Sequence, residues 1–275
     1  MRTLADKVVV VTGAGSGIGR ALARQAAREG ARLAVSDWDE EGLAETAELL
    51  GRDRAREVRT DRLDVSERAA FGRYAGEVRE HFGRVNVVVN NAGVSYSGPA
   101  TDLTYEGLDW IMGINFWGVV HGTQEFLPDL VTSGDGHLVN ISSLFGLVSM
   151  PGQAAYNASK YAVRGYTEAV REDMLLAGHP VGVTCVHPGG IKTGIARHGR
   201  TTEGEDHDRL AATFDQKLAR MTPERAAEII WGAVRHNRPR ILVGLDAHAL
   251  HTFGKLLGAR YQDVAALAAK RVLPQ

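Results

Sequence analysis

Two side chains four positions apart are suited to acid–base chemistry. Tyr156 and Lys160 lie in a segment whose apolar spacing predicts a helix, so both project from one face of it. An ammonium beside a phenol favours the phenolate, and such a phenol can exchange a proton with an alcohol or carbonyl oxygen. Tyr-x-x-x-Lys is also common on solvated helix faces, so the pair needs support from other residues.

Ser143 supplies that support. It follows residues 138–141, an apolar run typical of a buried strand, and precedes Tyr156 by 13 residues in the sequence. Residues that follow parallel strands lie at the carboxyl edge of the sheet, where open α/β folds bind ligands. A hydroxyl at this edge can hold the oxygen on which the phenol acts.

A glycine-rich turn follows the first apolar run, and helical spacing begins directly after it. Amides at a helix start bind a pyrophosphate, and glycine lets a dinucleotide approach the backbone. The spacing is G-x-x-x-G-x-G rather than G-x-G-x-x-G, and an ordinary tight turn is the alternative. The predicted cofactor contacts in this turn are Gly13, Ser16, Gly17, Ile18 and Gly19.

An acidic residue ends the second predicted strand. From this position the Asp37 carboxylate can accept both hydrogen bonds of an adenosine ribose and repel a 2′-phosphate. Asp37 could instead cap the next helix, but Asp39 suits that role better. Ser36 and Trp38 place no basic side chain beside it. These residues predict NAD rather than NADP.

Apolar runs alternate with segments of helical spacing along the chain. The predicted strands are residues 8–11, 33–35, 85–89, 138–141, 181–186 and 241–243, and the predicted helices are residues 18–29, 41–50, 67–82, 108–130, 154–176 and 223–235. Such an alternation predicts a doubly wound α/β fold, which we assign to one domain over residues 1–275. The charged residues 52–64 alternate in sign and predict a solvated surface.

Two segments depart from this alternation. Residues 189–222 are polar with one weak helix near residues 208–218, which is typical of a lid over a substrate. Residues 245–275 form a predicted helical tail with an apolar stripe. We rank three interpretations of the tail: packing on its own domain, then contact with another subunit, then membrane attachment. The basic residues that favour a membrane are Lys255, Arg260, Lys270 and Arg271.

Taken together, these residues resemble the short-chain dehydrogenase/reductase family. The resemblance spans residues 7–243 in the family's order and rests on the glycine-rich turn, Asn90-Asn91-Ala92-Gly93, Asn115, Ser143, Tyr156 with Lys160, and Pro188-Gly189. It implies a Rossmann-type domain with a mostly parallel, seven-stranded sheet and helices on both faces. It also implies an oxidoreductase that binds NAD.

The resemblance implies a role for each matching residue. Tyr156 would exchange the proton, Ser143 would hold the substrate oxygen, and Lys160 would bind the nicotinamide ribose and lower the pKa of the tyrosine. Asn115 would fix a water that links the lysine to solvent. The other implied cofactor contacts are Asp64 and Val65 at adenine, Asn91, Ala92 and Gly93 beside the cofactor, Pro188 and Gly189, and Ile191 and Thr193 at the carboxamide. Some of these positions could simply cap a helix or end a strand.

Composition excludes several classes of protein. With 33 acidic and 32 basic side chains the net charge is −1, so no broad attraction to nucleic acid is expected.

Cys185 is the one cysteine, which fits a reducing compartment, and its mid-strand position predicts burial. No leader pattern or membrane span is visible, and the close pair His248 and His251 predicts no metal site. We expect a cytoplasmic protein and, by analogy with the family, a homo-oligomer such as a dimer or tetramer.

The sequence therefore predicts hydride transfer between NAD(H) and an alcohol/carbonyl pair. The residues expected around the substrate are mostly apolar, which favours a hydrophobic secondary alcohol or ketone. They are Val94, Tyr96, Leu144, Phe145, Leu147 and Met150. Two alternatives stay open: an NADPH-dependent ketoacyl-type reductase, which Asp37 opposes, and a catalytically idle dinucleotide-binding scaffold, which the intact catalytic set opposes.

Overall fold

The fold is seen in a computed structural model that describes residue 1 and residues 3–272. Residues 273–275 and the side chain of Arg271, all in the predicted tail, lie outside the described part. The strands found in that part are β1 (Val8–Thr12), β2 (Arg32–Asp37), β3 (Glu57–Arg62), β4 (Val87–Asn90), β5 (Tyr96–Ser97), β6 (His137–Ile141), β7 (Gly182–Pro188), β8 (Arg200–Thr201) and β9 (Arg240–Val243).

The α-helices in the same part cover most of the remaining chain. They are α1 (Gly17–Arg28), α2 (Glu40–Arg52), α3 (Arg68–Phe82), α4 (Tyr105–Met112), α5 (Gly118–Thr132), α6 (Ala154–Leu176), α7 (His207–Thr213), α8 (Pro223–Arg235), α9 (Leu245–Leu257) and α10 (Tyr261–Val272). Short 3-10 turns occur at Leu144–Gly146 and Gly258–Arg260, and π-helical turns occur at Gly113–Trp117 and Phe214–Leu218.

The main sheet has seven parallel strands in the order β3-β2-β1-β4-β6-β7-β9. Val9 of β1 pairs with Leu33 of β2 on one side and with Val87 of β4 on the other. The chain order reverses between β1 and β4, so the loops after these strands diverge and leave a crevice at the carboxyl edge. The predicted Rossmann-type α/β fold is confirmed.

Helices cover both faces of this sheet, which explains why its central strands are apolar on both faces. Val9 and Val11 of β1 belong to the core layer under α1, α2 and α8. Val8 and Val10 belong to the opposite layer, under α3, α5 and α6. Cys185 of β7 is buried, as the sequence predicts. The two layers fix the sheet edge at which functional side chains emerge.

Strand β3 corrects the interpretation of residues 52–64 as a solvated surface alone. Residues 57–62 form an edge strand that pairs in parallel with β2. Ion pairs hold its charged side chains: Arg59 contacts Asp61 over 2.6 Å, and Arg32 contacts Glu57 over 2.6 Å. Charged edge strands avoid pairing with other chains, and β3 lacks the apolar run by which the other strands of the main sheet were identified.

The long helix predicted at residues 108–130 is interrupted. Helix α4 begins after Thr104, whose hydroxyl accepts a hydrogen bond from the Gly107 amide. A π-helical turn then separates α4 from α5. Such turns insert an extra residue, rotate the following side chains and occur often at functional sites. Asn115 lies within this turn.

The polar segment 189–222 folds over the carboxyl edge of the sheet. Its strand β8 pairs in parallel with β5, where Tyr96 lies opposite Arg200. Ile191 and Met221 form an isolated parallel bridge that joins the two ends of the segment. Helices α9 and α10 follow β9. No helix in the described part is both long and apolar enough to cross a membrane.

Candidate active site

Tyr156 and Lys160 lie in the first turns of α6 and share one face of it. The Lys160 Nζ lies over the tyrosine ring, 5.6 Å from its centroid. Both side chains are buried, with 9% and 2% of their surface exposed, respectively. The ammonium donates a hydrogen bond to the carbonyl oxygen of Ile141 over 3.2 Å. This bond fixes the Lys160 amine beside the end of β6.

Ser143 lies at the same edge, two residues beyond β6. Its hydroxyl oxygen accepts a hydrogen bond from the Phe145 amide over 3.1 Å and so caps a 3-10 turn. The Phe145 ring stands edge-on to the Tyr156 ring, with centroids 6.1 Å apart. On β7, the Nδ1 atom of His187 lies 2.8 Å from the Ser143 carbonyl oxygen. The serine is therefore held from two strands.

Burial dominates the ionisation of the tyrosine and the lysine. It raises the pKa of Tyr156 to about 12, and the nearby Ser143 hydroxyl lowers that pKa only in part. Burial also lowers the pKa of Lys160 to about 8. The chain alone thus keeps the phenol protonated near neutral pH, opposite to the lowered pKa expected from the sequence. Desolvation outweighs an ammonium that lies over the ring and is itself destabilised by burial.

Asn115 is buried and bonded to the chain that follows β4. Its Oδ1 accepts a hydrogen bond from the Val94 amide over 2.8 Å, and its Nδ2 donates one to the Val94 carbonyl oxygen over 2.9 Å. A Cβ atom on Gly93 would lie 3.1 Å from Asn115 Oδ1 and 3.2 Å from Lys160 Nζ. The structure therefore brings these predicted residues together around the space that the glycine leaves open.

The glycine-rich turn between β1 and α1 forms a cradle that fits a dinucleotide. Gly13 has φ +66° and Gly17 has φ +53°, a region that favours glycine. A Cβ at Gly13 would lie 2.7 Å from the Ala92 Cα, and one at Gly19 would collide with the Gly13 carbonyl. Within the described part, the N-cap Ser16 makes no side-chain capping bond. The first amides of α1 are thus left to another acceptor, such as a pyrophosphate.

Asp37 lies beside this cradle at the end of β2. Its carboxylate accepts hydrogen bonds from the Gly15 amide over 2.7 Å and from the Asp39 amide over 3.0 Å. Asp39 occupies the N-cap position of α2, as the sequence predicts, but its side chain makes no capping hydrogen bond within the part of the chain that the structure describes. A carboxylate has about four acceptor positions, so Asp37 retains capacity for ribose hydroxyls.

A basic side chain that sequence reasoning missed lies next to Asp37. Arg62 of β3 is the register partner of Asp37, and its guanidinium stacks on the Trp38 ring, 4.3 Å from the ring centroid. The residues flanking Asp37 in sequence carry no positive charge, so only the pairing of β3 with β2 reveals this neighbour. A cation therefore lies at the adenosine end of the cradle.

The other predicted contacts after β4 reach the glycine-rich turn directly. The Thr12 hydroxyl accepts hydrogen bonds from the Asn91 amide over 3.1 Å and the Ala92 amide over 3.2 Å. The Asn91 side chain donates to the carbonyl oxygens of Thr12 and Gly13, each over 3.0 Å. Ile18 packs against the core layer under α1. The turn is thus fixed from the neighbouring strand.

Asp64 and Val65 follow β3 at the same edge. The Leu63 amide donates to the Asp37 carbonyl oxygen over 2.9 Å, which places this loop beside β2. The Asp64 carboxylate accepts hydrogen bonds from the Ser66 amide and hydroxyl over 2.9 Å and 2.6 Å. Val65 is buried. The N-cap of α3 is Glu67, so Ser66 does not have the capping role that was the alternative.

The loop after β7 is held by a residue of the C-terminal tail. Pro188 ends β7, and the Gly190 amide donates a hydrogen bond to the Asp246 carboxylate over 2.7 Å. A Cβ on Gly189 would collide with the same carboxylate. Sequence reasoning missed Asp246, because its position depends on how α9 folds back onto the sheet edge.

Ile191 and Thr193 approach the cradle from this loop. Ile191 is buried in its bridge with Met221. A Cβ on Gly17 would lie 3.0 Å from the Thr193 methyl group. A cleft of about 290 Å³ lies between α1 and residues 192–198. Thr193 therefore lies across the cleft from the glycine-rich turn, whereas Ile191, the other predicted carboxamide contact, does not line this cleft.

Apolar side chains surround the tyrosine. Val94, Tyr96 and Phe145 cluster with Tyr156, as expected for a pocket wall. Sequence reasoning missed several members of this wall because they come from distant segments: Leu103, Leu108, Trp110, Ile111 and Ile195. Among the described residues no group of three or more histidine, cysteine, aspartate or glutamate side chains is placed to hold a metal ion.

A parallel sheet with a glycine-rich cradle at its first strand and a tyrosine, lysine and serine at its carboxyl edge defines a dinucleotide-binding oxidoreductase. The chain belongs to the short-chain dehydrogenase family, whose model matches residues 7–204. SadH of Mycobacterium tuberculosis, provisionally named as an oxidoreductase, is 49% identical over 277 residues, which cover 100% of this chain and 99% of SadH. The resemblance predicted from the motifs is confirmed.

Solved structures agree with this assignment. A short-chain dehydrogenase/reductase of Burkholderia phymatum in complex with NAD is 32% identical with a TM-score of 0.87, covering 95% of this chain and 97% of that one. An alcohol dehydrogenase of the archaeon Thermococcus sibiricus, complexed with 5-hydroxy-NADP, is 26% identical with a TM-score of 0.73, covering 86% and 95%. The chain is therefore an enzyme acting on CH–OH groups with a nicotinamide dinucleotide.

Proposed function

We propose that this enzyme transfers a hydride between NAD(H) and a hydrophobic secondary alcohol or ketone. The observation that carries the proposal is the convergence of Ser143, Tyr156 and Lys160 beside a cradle that fits a dinucleotide. A bound nicotinamide supplies or accepts the hydride, whereas the protein supplies binding and proton transfer. Residues 1–275 act as one domain in this proposal, and residues 189–222 form its substrate loop.

Each catalytic side chain has a separate role. Tyr156 exchanges a proton with the substrate oxygen, and with a pKa of about 12 it starts protonated, ready to donate to a carbonyl. Ser143 binds the same oxygen through its hydroxyl. Lys160, with a pKa of about 8, carries positive charge near neutral pH and stabilises the phenolate that donation leaves. Asn115 positions Val94 in the pocket wall and lies beside the lysine.

The apolar wall supports a hydrophobic substrate. Val94, Tyr96 and Phe145 present little that would recognise a charged group, whereas Trp110 carries the Arg200 guanidinium stacked on its ring, 4.1 Å from the centroid. Gln153, the polar residue just before α6, already donates a hydrogen bond to the Ser97 hydroxyl over 2.6 Å. A substrate is therefore selected mainly by apolar contact and by the bond from its oxygen to the catalytic hydroxyls.

Asp37 supports NAD over NADP. Its carboxylate is fixed toward the cradle by the Gly15 amide and would repel a 2′-phosphate. The stacked Arg62 partly offsets this repulsion, so the preference depends on the balance between the two charges.

We also propose a cytoplasmic homo-oligomer. The buried lone Cys185 suits a reducing compartment, and the exposed Trp117 beside α5 suits contact with a second copy.

Replacing Tyr156 with phenylalanine tests the proposed reaction. We expect turnover of a panel of hydrophobic secondary alcohols and ketones to fall at least about a hundredfold, because the proton carrier is lost. NADH binding, measured by fluorescence titration, stays within about twofold because the cradle is intact. Tyr166→Phe is the matched control: this tyrosine lies on the same helix but accepts a hydrogen bond from Gln124, and turnover should persist.

An unmodified chain that binds NADH but converts no alcohol or ketone would contradict the proposal. That result would favour the idle dinucleotide-binding scaffold. Equal activity of the Tyr156→Phe variant and the unmodified chain would remove the tyrosine from the mechanism while leaving the family assignment intact.

A further inference from the structure

The C-terminal tail, residues 245–272 of the described part, is anchored beside the candidate active site. The Asp246 carboxylate accepts a hydrogen bond from the Gly190 amide over 2.7 Å. The Tyr261 hydroxyl accepts one from the Ser149 amide over 2.8 Å. Gly190 follows β7 at the carboxyl edge of the sheet, and Ser149 lies in the segment that joins Ser143 to Tyr156. The inner face of the tail thus packs on its own domain, and only the outer face is available to a partner.

That outer face is apolar. Leu245 and Leu256 of α9 are 88% and 81% exposed, and Leu267 of α10 is 58% exposed. Further large apolar side chains with at least a third of their surface exposed are Leu250, Phe253, Leu257 and Val264. On α9, positions 245, 249, 253 and 256 follow helical spacing and form one stripe. Contiguous exposed side chains of this size mark an interaction surface.

Basic side chains accompany the stripe. Lys255, Arg260 and Lys270 are exposed, whereas Asp263 is the one acidic residue between positions 247 and 270. The tail is therefore locally positive, although the whole chain has a net charge of −1. Apolar side chains bordered by lysine and arginine suit an anionic bilayer surface, while the core of a protein interface is depleted in lysine.

We propose that this outer face binds the surface of an anionic lipid bilayer. The contact is peripheral, with the leucines at the headgroup boundary and the basic side chains on lipid headgroups. The same tail packs Ala247 and Tyr261 against Leu144 and Val148, next to the pocket. One consequence rests on the proposed function: a hydrophobic alcohol or ketone dissolved in the bilayer would lie close to the catalytic residues.

Vesicle flotation of the full chain tests this inference. We expect it to float with phosphatidylcholine vesicles that contain phosphatidylglycerol, and to float less with pure phosphatidylcholine or at high salt. The double variant Leu256→Ser with Leu267→Ser should bind the anionic vesicles about tenfold more weakly. Leu176→Ser is the matched control, because this leucine is 91% exposed at the end of α6, outside the tail.

Each other outcome overturns the proposal. If the unmodified chain does not float with vesicles, the tail does not bind lipid. The same conclusion follows if the Leu176→Ser control loses as much vesicle binding as the double variant. A double variant that binds vesicles normally but sediments as a smaller species assigns the stripe to a second copy of the chain. NADH titration shows that the variants are folded. Vesicle binding needs no substrate, so its failure is distinguishable from failure of the proposed redox reaction.

Discussion

Tyr156 and Lys160 show how burial, rather than residue type, sets the ionisation of a motif. The pair has the spacing expected from the sequence, but desolvation raises the pKa of the phenol to about 12 and lowers that of the ammonium to about 8. Protonated phenol is the form that donates to a carbonyl oxygen. Alcohol oxidation needs the phenolate instead, so Tyr156 must lose its proton before that reaction begins.

Asp37 and Arg62 together should set the choice between NADH and NADPH. Removing the carboxylate in Asp37→Ala leaves the stacked guanidinium beside the ribose position, so we expect NADPH to bind at least about tenfold more tightly than to the unmodified chain. Adding Arg62→Gln should reverse most of that gain, because no cation then faces the 2′-phosphate. Fluorescence titration with both cofactors measures the four affinities of this double-mutant cycle.

Asp39→Ala is the control for this cycle. It removes a neighbouring, exposed carboxylate at the N-cap of α2 that makes no capping hydrogen bond with any described residue, so it should change the free energy of unfolding by less than about 0.5 kcal/mol and leave the cofactor preference unchanged. Unchanged NADPH affinity in Asp37→Ala would show that this carboxylate does not discriminate. If the double variant kept the full gain in NADPH affinity, Arg62 would not contribute to NADPH binding.

Strand β3 and the π-helical turn show which elements a sequence pattern identifies and which it does not. The central strands were predicted because burial on both faces requires apolar runs, and the helix starts were predicted from their spacing. Residues 57–62 carry charges because they lie at the sheet edge, so no apolar run marks them. The turn Gly113–Trp117 keeps helical apolar spacing, and its extra residue is visible only in the backbone hydrogen bonds.

Helix α5 should tolerate no side chain at Gly122. A Cβ there would collide with the Oδ1 atom of Asn90, whose amide nitrogen donates a hydrogen bond to Asn140 across the sheet. We expect Gly122→Ala to lower the free energy of unfolding by about 1–3 kcal/mol, since helix and sheet must separate. Gly232→Ala in α8 is the matched control, because a Cβ there meets nothing within 4 Å.

The control should respond in the opposite direction. Alanine stabilises an exposed or open helix position relative to glycine, so Gly232→Ala should raise the free energy of unfolding by about 0.5–1 kcal/mol. Urea denaturation measures both variants. Equal effects of the two substitutions would show that close packing of α5 on β4 does not limit the residue at position 122.

Contacts between distant segments complete the site, and they explain why part of it escaped prediction. Motif residues such as Ser143 and Asn91 were placed correctly at one edge because parallel strands end together there. Asp246 holds the loop after β7 from a tail more than fifty residues further along the chain. Arg62 reaches the cradle through strand pairing. No local sequence pattern marks either contact, because each joins segments that only the folded chain brings together.

The stability of the folded chain should fall on mild acidification. Burial lowers the pKa of His137 to about 3 and that of His187 to about 4, whereas an unfolded histidine titrates near 6.5. Below pH 6.5 the unfolded chain therefore binds more protons than the folded one. The contribution of both imidazoles is complete above pH 6.5 and is lost progressively as pH falls toward 4 and 3.

Urea denaturation between pH 7.5 and pH 5 isolates the histidines, because carboxylates in an unfolded chain titrate only near about 4. We expect the free energy of unfolding to fall by about 2 kcal/mol per pH unit below pH 6. His137→Gln can still hydrogen-bond Thr184, which lies 2.8 Å from the imidazole Nε2, and should halve that slope. His179→Gln, at an exposed position after α6, should leave it unchanged. A flat profile in the unmodified chain would mean that both imidazoles acquire protons without unfolding, and hence that water reaches them through the sheet edge.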